Sequence, residues 1–597
     1  MRNLVAGIAV PCVVALAGLG LLVFWVGLGK GTQLQARIDG QDEAPRPAQP
    51  PQPGPPLSAD AGWWSQLRQQ LLTWARQQER PVPGEPVRSH GTASKIAGSW
   101  PWFRGPDHDA VCHETVPLAR KWPEGGPKRL WSVQLGDGYA AAAVSQGRVY
   151  VLDHVHDAAV DVLRRLSPKD RGLLAEALSN LPPDDPAGMD KALTRLFAKP
   201  GENNGDGRQT VSQADYDGVK QALQSLLEGQ REKLLRALRK VPAGQSERDP
   251  LCDIDRSADT MRCLSLDDGQ EIWRNSYRVV VPPHHGMSRT VPAVIGKYVV
   301  SLGPMCQVAC WDADTGKSLW LIDLVLDYGA TVPDWYAGQC PLYDADTDQL
   351  ILAPGGKSLL IAVDYKTGDV IWESANPRGW TMTHSSIMPM EFAGRRMYVY
   401  CGSGGVAGVA ADDGSILWDT TDWRITMATC PSPVPIGDGR IFLCGGYNAG
   451  SLMLQVEEEG DRLVARTLFR RTAKQFSSEQ QTPILLDDYL YGVRQHDKKL
   501  VCLDLEGKEV WNSGKDKFGS ASYLIADGLI YALSDEGRLI MAEATPEGYK
   551  PLGRAQVIED GVDCWGPMAL VGGRLIVRDM TRMVCLDVAA GGVGIRD

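Results

Sequence analysis

Eleven polar and aromatic side chains with binding chemistry occur just before short apolar runs of the sequence. They are Tyr139, His284, His285, Arg289, His384, Ser385, Ser386, Glu479, Gln480, Gln481 and Trp565. Together they can donate and accept hydrogen bonds to an anionic or sugar-like ligand. The alternative is a water-filled polar funnel whose side chains satisfy one another, and His284 and His285, which follow two prolines, can also form a surface turn. No Ser-His-Asp order, paired carboxylate motif or phosphate-cradling loop is recognisable, so no catalytic residue is assigned.

A second candidate site is a cation-binding loop in the segment ENNGDGRQTVSQAD (202–215). Oxygen ligands at alternating positions with a following glycine suit a hard cation such as calcium, and the segment resembles an EF-hand with Gly207 at the sharp turn. A 12-residue loop would place Gln213 where a bidentate carboxylate is expected. With a two-residue insertion at 208–209, the predicted ligands are Glu202, Asn204, Asp206, Thr210, Ser212 and Asp215. Calcium binding and a solvated Asn/Gly turn both remain open.

The thirteen cysteines carry no recognisable metal or haem motif, because neither C-x-x-C nor C-x-x-C-H spacing occurs. Four of them share one position of a repeat and are expected to be small buried groups in different strands: Cys263, Cys310, Cys502 and Cys585. Cys306 and Cys310 flank a short turn and either form a disulfide or stay free.

An internal repeat supplies the elements that position these residues. The segments CLSLDDGQEIW (263–273), CWDADTGKSLW (310–320), AVDYKTGDVIW (362–372), VAADDGSILW (409–418) and CLDLEGKEVW (502–511) share a strand, a glycine turn and a second strand ending in Trp. The first four tryptophans are 47, 52 and 46 residues apart. This spacing is about the length of one propeller blade per repeat.

A second hairpin precedes most of these segments, for example TVPAVIGKYVVSLG (290–303), and two hairpins make one four-stranded blade. Eight first strands are predicted to begin near Tyr139, Thr290, Gln339, His384, Cys430, Gln481, Ser520 and Trp565. The last blade lacks an outer strand, whereas RLWSVQL (129–135) is an outer strand without a blade. The N-terminal strand is therefore predicted to complete the last blade and close the ring.

At this point the chain resembles the bacterial propellers built from pyrroloquinoline-quinone (PQQ)-type repeats, which share the pattern A-x-D-x-x-T-G-x-x-x-W. Residues 362–372 match it fully, and residues 310–320 match it with Cys in place of Ala. The resemblance covers residues 99–156 and about 259–588. It implies a fold shared by quinoprotein dehydrogenases and by BamB-type assembly scaffolds, and therefore no single function. The family's dehydrogenases have a Cys-Cys disulfide against the quinone and acidic and Asn ligands for calcium; this sequence has no Cys-Cys pair, so PQQ is not expected.

The N-terminal region has the composition of a membrane anchor followed by a spacer. Residues 4–28 carry no charge and exceed the roughly 20 residues that a helix needs to cross a bilayer. An uncleaved anchor is preferred over a cleaved signal peptide, whose apolar core is shorter. Seven of the twelve residues 45–56 are proline, which indicates an extended spacer, and a short amphipathic helix follows near Trp63 and Trp74.

About one hundred residues with helical character separate the second and third strands of the first blade. Ser167 and Pro168 indicate a helix start. An apolar stripe at helical spacing follows at Val219, Leu223, Leu226, Leu227, Leu234, Leu235, Leu238 and Val241.

The predicted fold class is all-β: an eight-bladed β-propeller of four-stranded blades, with a helical insertion in the first blade and an N-terminal transmembrane helix. The predicted domains are an anchor (1–30), a proline-rich spacer with a short helix (31–97), the propeller (98–156 and 257–592) and the insertion with its EF-hand-like loop (157–256). A net charge of -11 without a basic run argues against a nucleic-acid partner.

The preferred functional hypothesis is a single-pass, membrane-anchored, extracytoplasmic (periplasmic) scaffold that binds proteins of the cell envelope. The alternatives are a quinone-dependent oxidoreductase that uses the propeller channel and a glycan-binding module.

Overall fold

The computed structural model describes residues 80–591, apart from 158–159, 161–162, 165, 183, 199–208, 211–212, 241–250, 252–254, 282–285 and 426. The predicted anchor, the spacer and the amphipathic helix lie outside these residues. Within the described ranges, no helix combines the length and the apolar character needed to cross a membrane.

Eight antiparallel sheets of four main strands form the body, in agreement with the eight blades predicted from the repeat. Blade 1 contains, from the axis outward, Ala143–Ser145, Arg148–Val155, Ala258–Ser265 and Glu271–Arg278. Blade 2 contains Ala293–Ile295, Tyr298–Leu302, Gln307–Asp312 and Ser318–Asp323. Blade 3 contains Leu342–Asp344, Gln349–Leu352, Ser358–Val363 and Val370–Ala375. Blade 4 contains Met388–Phe392, Arg395–Gly402, Gly405–Ala410 and Ile416–Thr420.

The remaining blades follow the same order. Blade 5 contains Val434–Gly437, Arg440–Gly445, Gly450–Glu459 and Arg462–Arg471. Blade 6 contains Ile484–Leu486, Tyr489–Arg494, Lys499–Leu503 and Glu509–Asn512. Blade 7 contains Tyr523–Ala526, Leu529–Leu533, Arg538–Glu543 and Pro551–Gln556. Blade 8 contains Ala569–Val571, Arg574–Arg578, Arg582–Asp587 and, outermost, Lys128–Gln134.

The ring is closed by the N-terminal strand, as predicted. Lys128–Gln134 pairs antiparallel with Arg582–Asp587, so that Trp131 lies opposite Cys585. Two shorter strands join other blades: Val87–Arg88 pairs with the outer strand of blade 1, and Val111–Cys112 pairs in parallel with the inner strand of blade 7. The chain before the inner strand of blade 1 therefore adds strands to blades 1, 7 and 8.

The repeated tryptophan joins each regular blade to the next. The indole of Trp273 in blade 1 donates a hydrogen bond to the carbonyl of Ala313 in blade 2, with 2.9 Å between nitrogen and oxygen. Its ring covers Gly316, which has a φ of 74° and whose added Cβ would lie 2.5 Å from the indole. The turn thus needs glycine both for its left-handed backbone and for the close approach of the ring.

Blade 7 departs from this pattern because Gly553 occupies the tryptophan position, opposite Met541. Trp122, from the segment before the ring, fills the space, since a Cβ added to Gly553 would lie 2.9 Å from its ring. Trp122 therefore packs where most other blades place their own tryptophan, although it is distant from blade 7 in sequence.

The insertion between the second and third strands of blade 1 contains α1 (Pro168–Ser179), α2 (Pro186–Leu193) and α3 (Gln213–Arg239), with a kink at Gln230. Ser167 caps α1 as predicted, because its hydroxyl accepts from the backbone N–H of Asp170. The predicted stripe from Val219 to Leu238 is buried in a core that belongs to the insertion, and Val241 lies outside the described residues. A further short helix, α4 (Leu324–Tyr328), follows blade 2.

Candidate functional site

The two ends of the propeller differ in the length of their connections. Because the strands of a blade alternate in direction, the tight turns inside each hairpin lie at one end, which we call the turn face. The links between blades lie at the other end, which we call the loop face; between consecutive blades they span residues 279–292, 324–341, 376–387, 421–433, 472–483, 513–522 and 557–568.

A cavity of about 280 Å³ lies at the axis of the ring, among the residues that precede the inner strands. Eight of the predicted residues line it: Tyr139, Arg289, His384, Ser386, Glu479, Gln480, Gln481 and Trp565. Ser385 is buried beside them, and His284 and His285 lie outside the described residues. The inner strands begin about four residues later than predicted, so these side chains belong to the loop face and not to the strands themselves.

Aromatic rings form two walls of the cavity. Tyr139 and Trp565 stack with their centroids 4.9 Å apart, and the guanidinium of Arg289 lies 5.0 Å from the centroid of the Tyr139 ring. Trp335 and Tyr447 have nearly parallel rings with centroids 6.5 Å apart. Flat apolar faces therefore alternate with charged groups around the cavity.

The charged groups of the cavity are held by defined contacts. Glu479 accepts hydrogen bonds from the Lys498 ammonium and the Ser520 hydroxyl, each at 3.2 Å. Trp565 donates its indole N–H to Asp535 at 2.8 Å, and its carbonyl accepts from the Gln481 amide at 2.8 Å. Burial is the main cause that raises the pKa of Asp535.

Arg289 and His384 set the electrostatics of the cavity. Burial lowers the pKa of Arg289, while Tyr139, Cys430 and Tyr447 are its titratable neighbours. Burial raises the pKa of the Cys430 thiol to about 12, and it also raises the pKa of both phenols. These neighbours are neutral at pH 7. Burial and then the charge of Arg289 lower the pKa of His384 to about 3, so its imidazole is neutral as well.

The segment 98–114 crosses the channel at the turn face and forms the floor of the cavity. Trp100, Phe103, Arg104 and Ala110 line the cavity from this side. Backbone bridges tie the segment to the inner strands of blades 1 and 7, at Val144 and Ile525. The cavity is therefore bounded by this segment at one end and by the interblade loops at the other.

Arg104 holds this floor in place. Its side chain is buried and donates to the carbonyl oxygens of His108, Asp109, Thr482 and Pro483 at 2.8 to 3.0 Å. The Arg104 guanidinium thus supplies hydrogen bonds to two carbonyl oxygens of the segment 98–114 and to two that precede the inner strand of blade 6.

Cys430 also lines the cavity, although the sequence predicted it only as the start of a first strand. Other lining residues were not among the predicted site residues: Trp100, Phe103, Arg104, Trp335, Tyr447 and Ser522. They lie in the floor segment, in interblade links or in the turn after the second strand of blade 5, where no repeat pattern marks them. Two consecutive left-handed residues, Trp335 and Tyr336 (φ of 60° and 73°), show that this link is strained.

All eleven described cysteines are free, so Cys306 and Cys310 do not form the disulfide that the sequence left open. The predicted equivalence is confirmed, because Cys263, Cys310 and Cys502 each pair with the docking Trp of their blade. Burial raises the pKa of Cys310 and Cys502, to about 12 for Cys502. These thiols are packing groups.

The residues of the cavity do not fit a calcium and quinone pair. No two cysteines are adjacent in the sequence, and Glu479 and Asp535 are engaged with Lys498 and Trp565. Among the described residues, one group of three possible metal ligands lies within 4.8 Å, formed by Asp107, Asp109 and His113 outside the cavity.

The predicted calcium loop falls largely outside the described residues. This holds for Glu202, Asn204, Asp206 and Ser212. Thr210 ends a two-residue strand that pairs in parallel with Phe197–Ala198, and Asp215 lies in the first turn of α3. Calcium binding stays a prediction.

Comparisons with known proteins agree with the fold. Residues 257–513, a little under half of the chain, match the family model described as outer membrane protein assembly factor BamB. No curated protein matches the sequence.

Among solved structures, BamB from Moraxella catarrhalis has 14% identity and a TM-score of 0.38, covering 55% of this chain and 93% of its own. The quinohemoprotein alcohol dehydrogenase ADHIIG from Pseudomonas putida HK5 has 14% identity and a TM-score of 0.36, covering 83% and 81%. The quinohemoprotein alcohol dehydrogenase from Comamonas testosteroni has 12% identity and a TM-score of 0.36, covering 89% and 85%. The matched repeats in residues 257–513 and the ring of eight four-stranded blades support a PQQ-like β-propeller.

Proposed function

We propose that this protein is a scaffold of the cell envelope, anchored in the membrane by residues 4–28, with its bulk outside the cytoplasm. Its loop face binds a protein partner. The observation that carries the proposal is a set of exposed apolar side chains on the loop face.

These side chains come from different blades but share the loop face. Val155 ends the second strand of blade 1, Met427 and Val562 lie in interblade links, and Tyr447 lies in blade 5. All four are exposed, up to 56% for Val562. Exposed apolar side chains on one face are typical of a protein-binding surface, because their burial by a partner is favourable.

The insertion adds a second surface beside the same face. It leaves blade 1 after Val155 and has its own apolar core. Ion pairs secure its base: Arg164 contacts Asp255 at 2.7 Å, and Arg256 contacts Asp157 at 3.0 Å. Both carboxylates are buried, so these ion pairs stabilise the junction between the insertion and blade 1. The insertion can therefore offer a partner a second folded surface.

The matched family supports the class of partner. Its model is described as outer membrane protein assembly factor BamB, a description that favours protein partners in the cell envelope. The described part of the cavity offers no catalytic constellation that favours an oxidoreductase over this scaffold. If the chain were such an enzyme, purified protein supplied with PQQ, calcium and an oxidisable alcohol would oxidise the alcohol and pass its electrons to a redox dye; we expect no dye reduction above the protein-free control.

Charge on the loop face tests the proposal. The double variant Met427→Glu and Val562→Glu is made in the full chain. It should reduce the amount of envelope protein that co-purifies after chemical cross-linking at least about tenfold, because two apolar contacts would become charges that the partner must desolvate. The matched control is Ile371→Glu with Val510→Glu, which are equally exposed apolar residues on outer strands. Equal recovery with all three proteins would refute the proposal.

A further inference from the structure

The axial cavity holds two buried polar atoms that the protein leaves without hydrogen-bond partners among the described residues. They are Nε2 of His384, before blade 4, and Oγ of Ser522, before blade 7. Both residues line the cavity, and Ser522 is only 2% exposed. A buried polar atom without a partner costs free energy unless a ligand or water supplies the missing bond.

The two atoms lie three blades apart around the ring, so a single occupant must reach different walls to satisfy both. His384 can accept a hydrogen bond at Nε2, because its ring is neutral and this nitrogen has no partner among the described residues. Ser522 can donate or accept. The occupant therefore needs a donor toward His384 and either kind of group toward Ser522.

The aromatic walls restrict the occupant further. Trp565, stacked on Tyr139, and the parallel pair of Trp335 and Tyr447 present flat apolar faces beside these polar atoms. Trp335 and Tyr447 are held with φ of 60° and 54°, a left-handed backbone that bulky residues rarely adopt. A molecule with an apolar face and a rim of hydroxyls matches walls of this kind.

Groups of both charges line the cavity, the guanidinium of Arg289 and the carboxylate of Glu479, together with the amide of Gln480. A polyanion would meet the carboxylate of Glu479. A hydroxyl can donate to that carboxylate and accept from the guanidinium, which favours a polyhydroxylated ligand.

The cavity has a floor at the turn face and measures about 280 Å³, at the lower end of small-molecule sites. A long chain cannot pass through such a cavity, but its last unit can enter from the loop face. We propose that the cavity binds the terminal pyranose unit of a saccharide, with the apolar sugar face against the aromatic walls and hydroxyls on His384 and Ser522.

The test uses the full chain in detergent and three probes: methyl glucoside, methyl N-acetylglucosaminide and methyl glucuronide. Saturation-transfer NMR at millimolar concentration should show saturable binding of at least one probe. Ser522→Ala should weaken that binding about tenfold, since it removes one buried hydrogen bond to the ligand. His384→Phe should weaken it to a similar extent.

Ser374→Ala is the matched control. The hydroxyl of Ser374 is also buried without a partner among the described residues, but it does not line the cavity. Its removal should leave the dissociation constant unchanged. Absence of saturable binding for all three probes, or binding that ignores both Ser522→Ala and His384→Phe, overturns the proposal. Binding of PQQ with none of the glycosides overturns it too, and neither result alters the cross-linking test of the loop face.

Discussion

The two ends of the propeller channel use the same kinds of residue for different purposes. At the turn face, Trp100 is buried and the Arg104 guanidinium donates to four backbone carbonyl oxygens, so its hydrogen bonds are made within the protein. At the loop face, Trp335 is half-buried, and His384 and Ser522 leave polar atoms without partners among the described residues. Left-handed residues occur at both ends, Arg104 with a φ of 66° and Trp335 with a φ of 60°, so the two ends differ in their hydrogen bonds. Satisfied groups indicate a structural role, whereas unsatisfied groups indicate a place where something else binds.

The strongest test of this contrast compares two tryptophans. Trp100→Ala should lower the free energy of unfolding by about 3–5 kcal/mol, because a buried indole that packs on Gly105 is replaced by a void. Trp335→Ala should cost about 1 kcal/mol or less, since its ring is only half-buried. Urea unfolding measures both, and equal losses would contradict the division between the two ends.

The second test removes the hydrogen bonds of the floor. Arg104→Met should cost about 3 kcal/mol, because buried carbonyl oxygens lose a charged donor. Arg424, exposed at the loop face, provides the comparison: Arg424→Met should change stability by no more than about 0.5 kcal/mol. If Arg104→Met lowered the free energy of unfolding no more than Arg424→Met does, the Arg104 guanidinium would not stabilise the floor.

A pH dependence should reveal the neutral imidazole at the loop face. The folded pKa of His384 is lowered to about 3, whereas an unfolded histidine has a pKa of about 6.5. Between these values the unfolded chain binds the extra proton, so this contribution to stability is present above about pH 6.5 and is lost as the pH falls. The free energy of unfolding should drop by about 2 kcal/mol more between pH 7 and pH 5 in the wild type than in His384→Gln. If the wild type and His384→Gln lost the same free energy of unfolding between pH 7 and pH 5, the lowered pKa of His384 would be refuted.

The smallest expected effect concerns the exposed apolar residues. Met427→Glu and Val562→Glu should each change the free energy of unfolding by less than about 0.5 kcal/mol, because neither side chain is packed in the core. Thermal unfolding checks this. A large loss would mean that these residues stabilise the ring and are not kept for a partner.

The ring itself could be predicted because it depends on local signals. Each blade repeats a glycine turn and a docking Trp, and the unmatched strand containing Trp131 predicted the closure that pairs it with Cys585. Eight of the predicted channel residues line one cavity because the same register places them before the inner strands.

The floor could not be predicted in this way. Arg104 and Val111 reach blades 6 and 7 through contacts between residues about 400 positions apart, and no periodicity encodes such pairings. Trp122 fills the place of a missing blade residue at Gly553. Ser522 gave no signal, because only the folded cavity shows that its hydroxyl lacks a partner among the described residues.

Site-specific photo-cross-linking in native membranes tests most directly whether the loop face is the binding face. A photoreactive residue is placed at Met427 or Val562 on the loop face, or at Lys366 or Glu506, which are exposed in turns of the opposite face. We predict cross-linked envelope protein from Met427 and Val562 and none from Lys366 and Glu506. Cross-links from the turn-face positions alone would contradict the account.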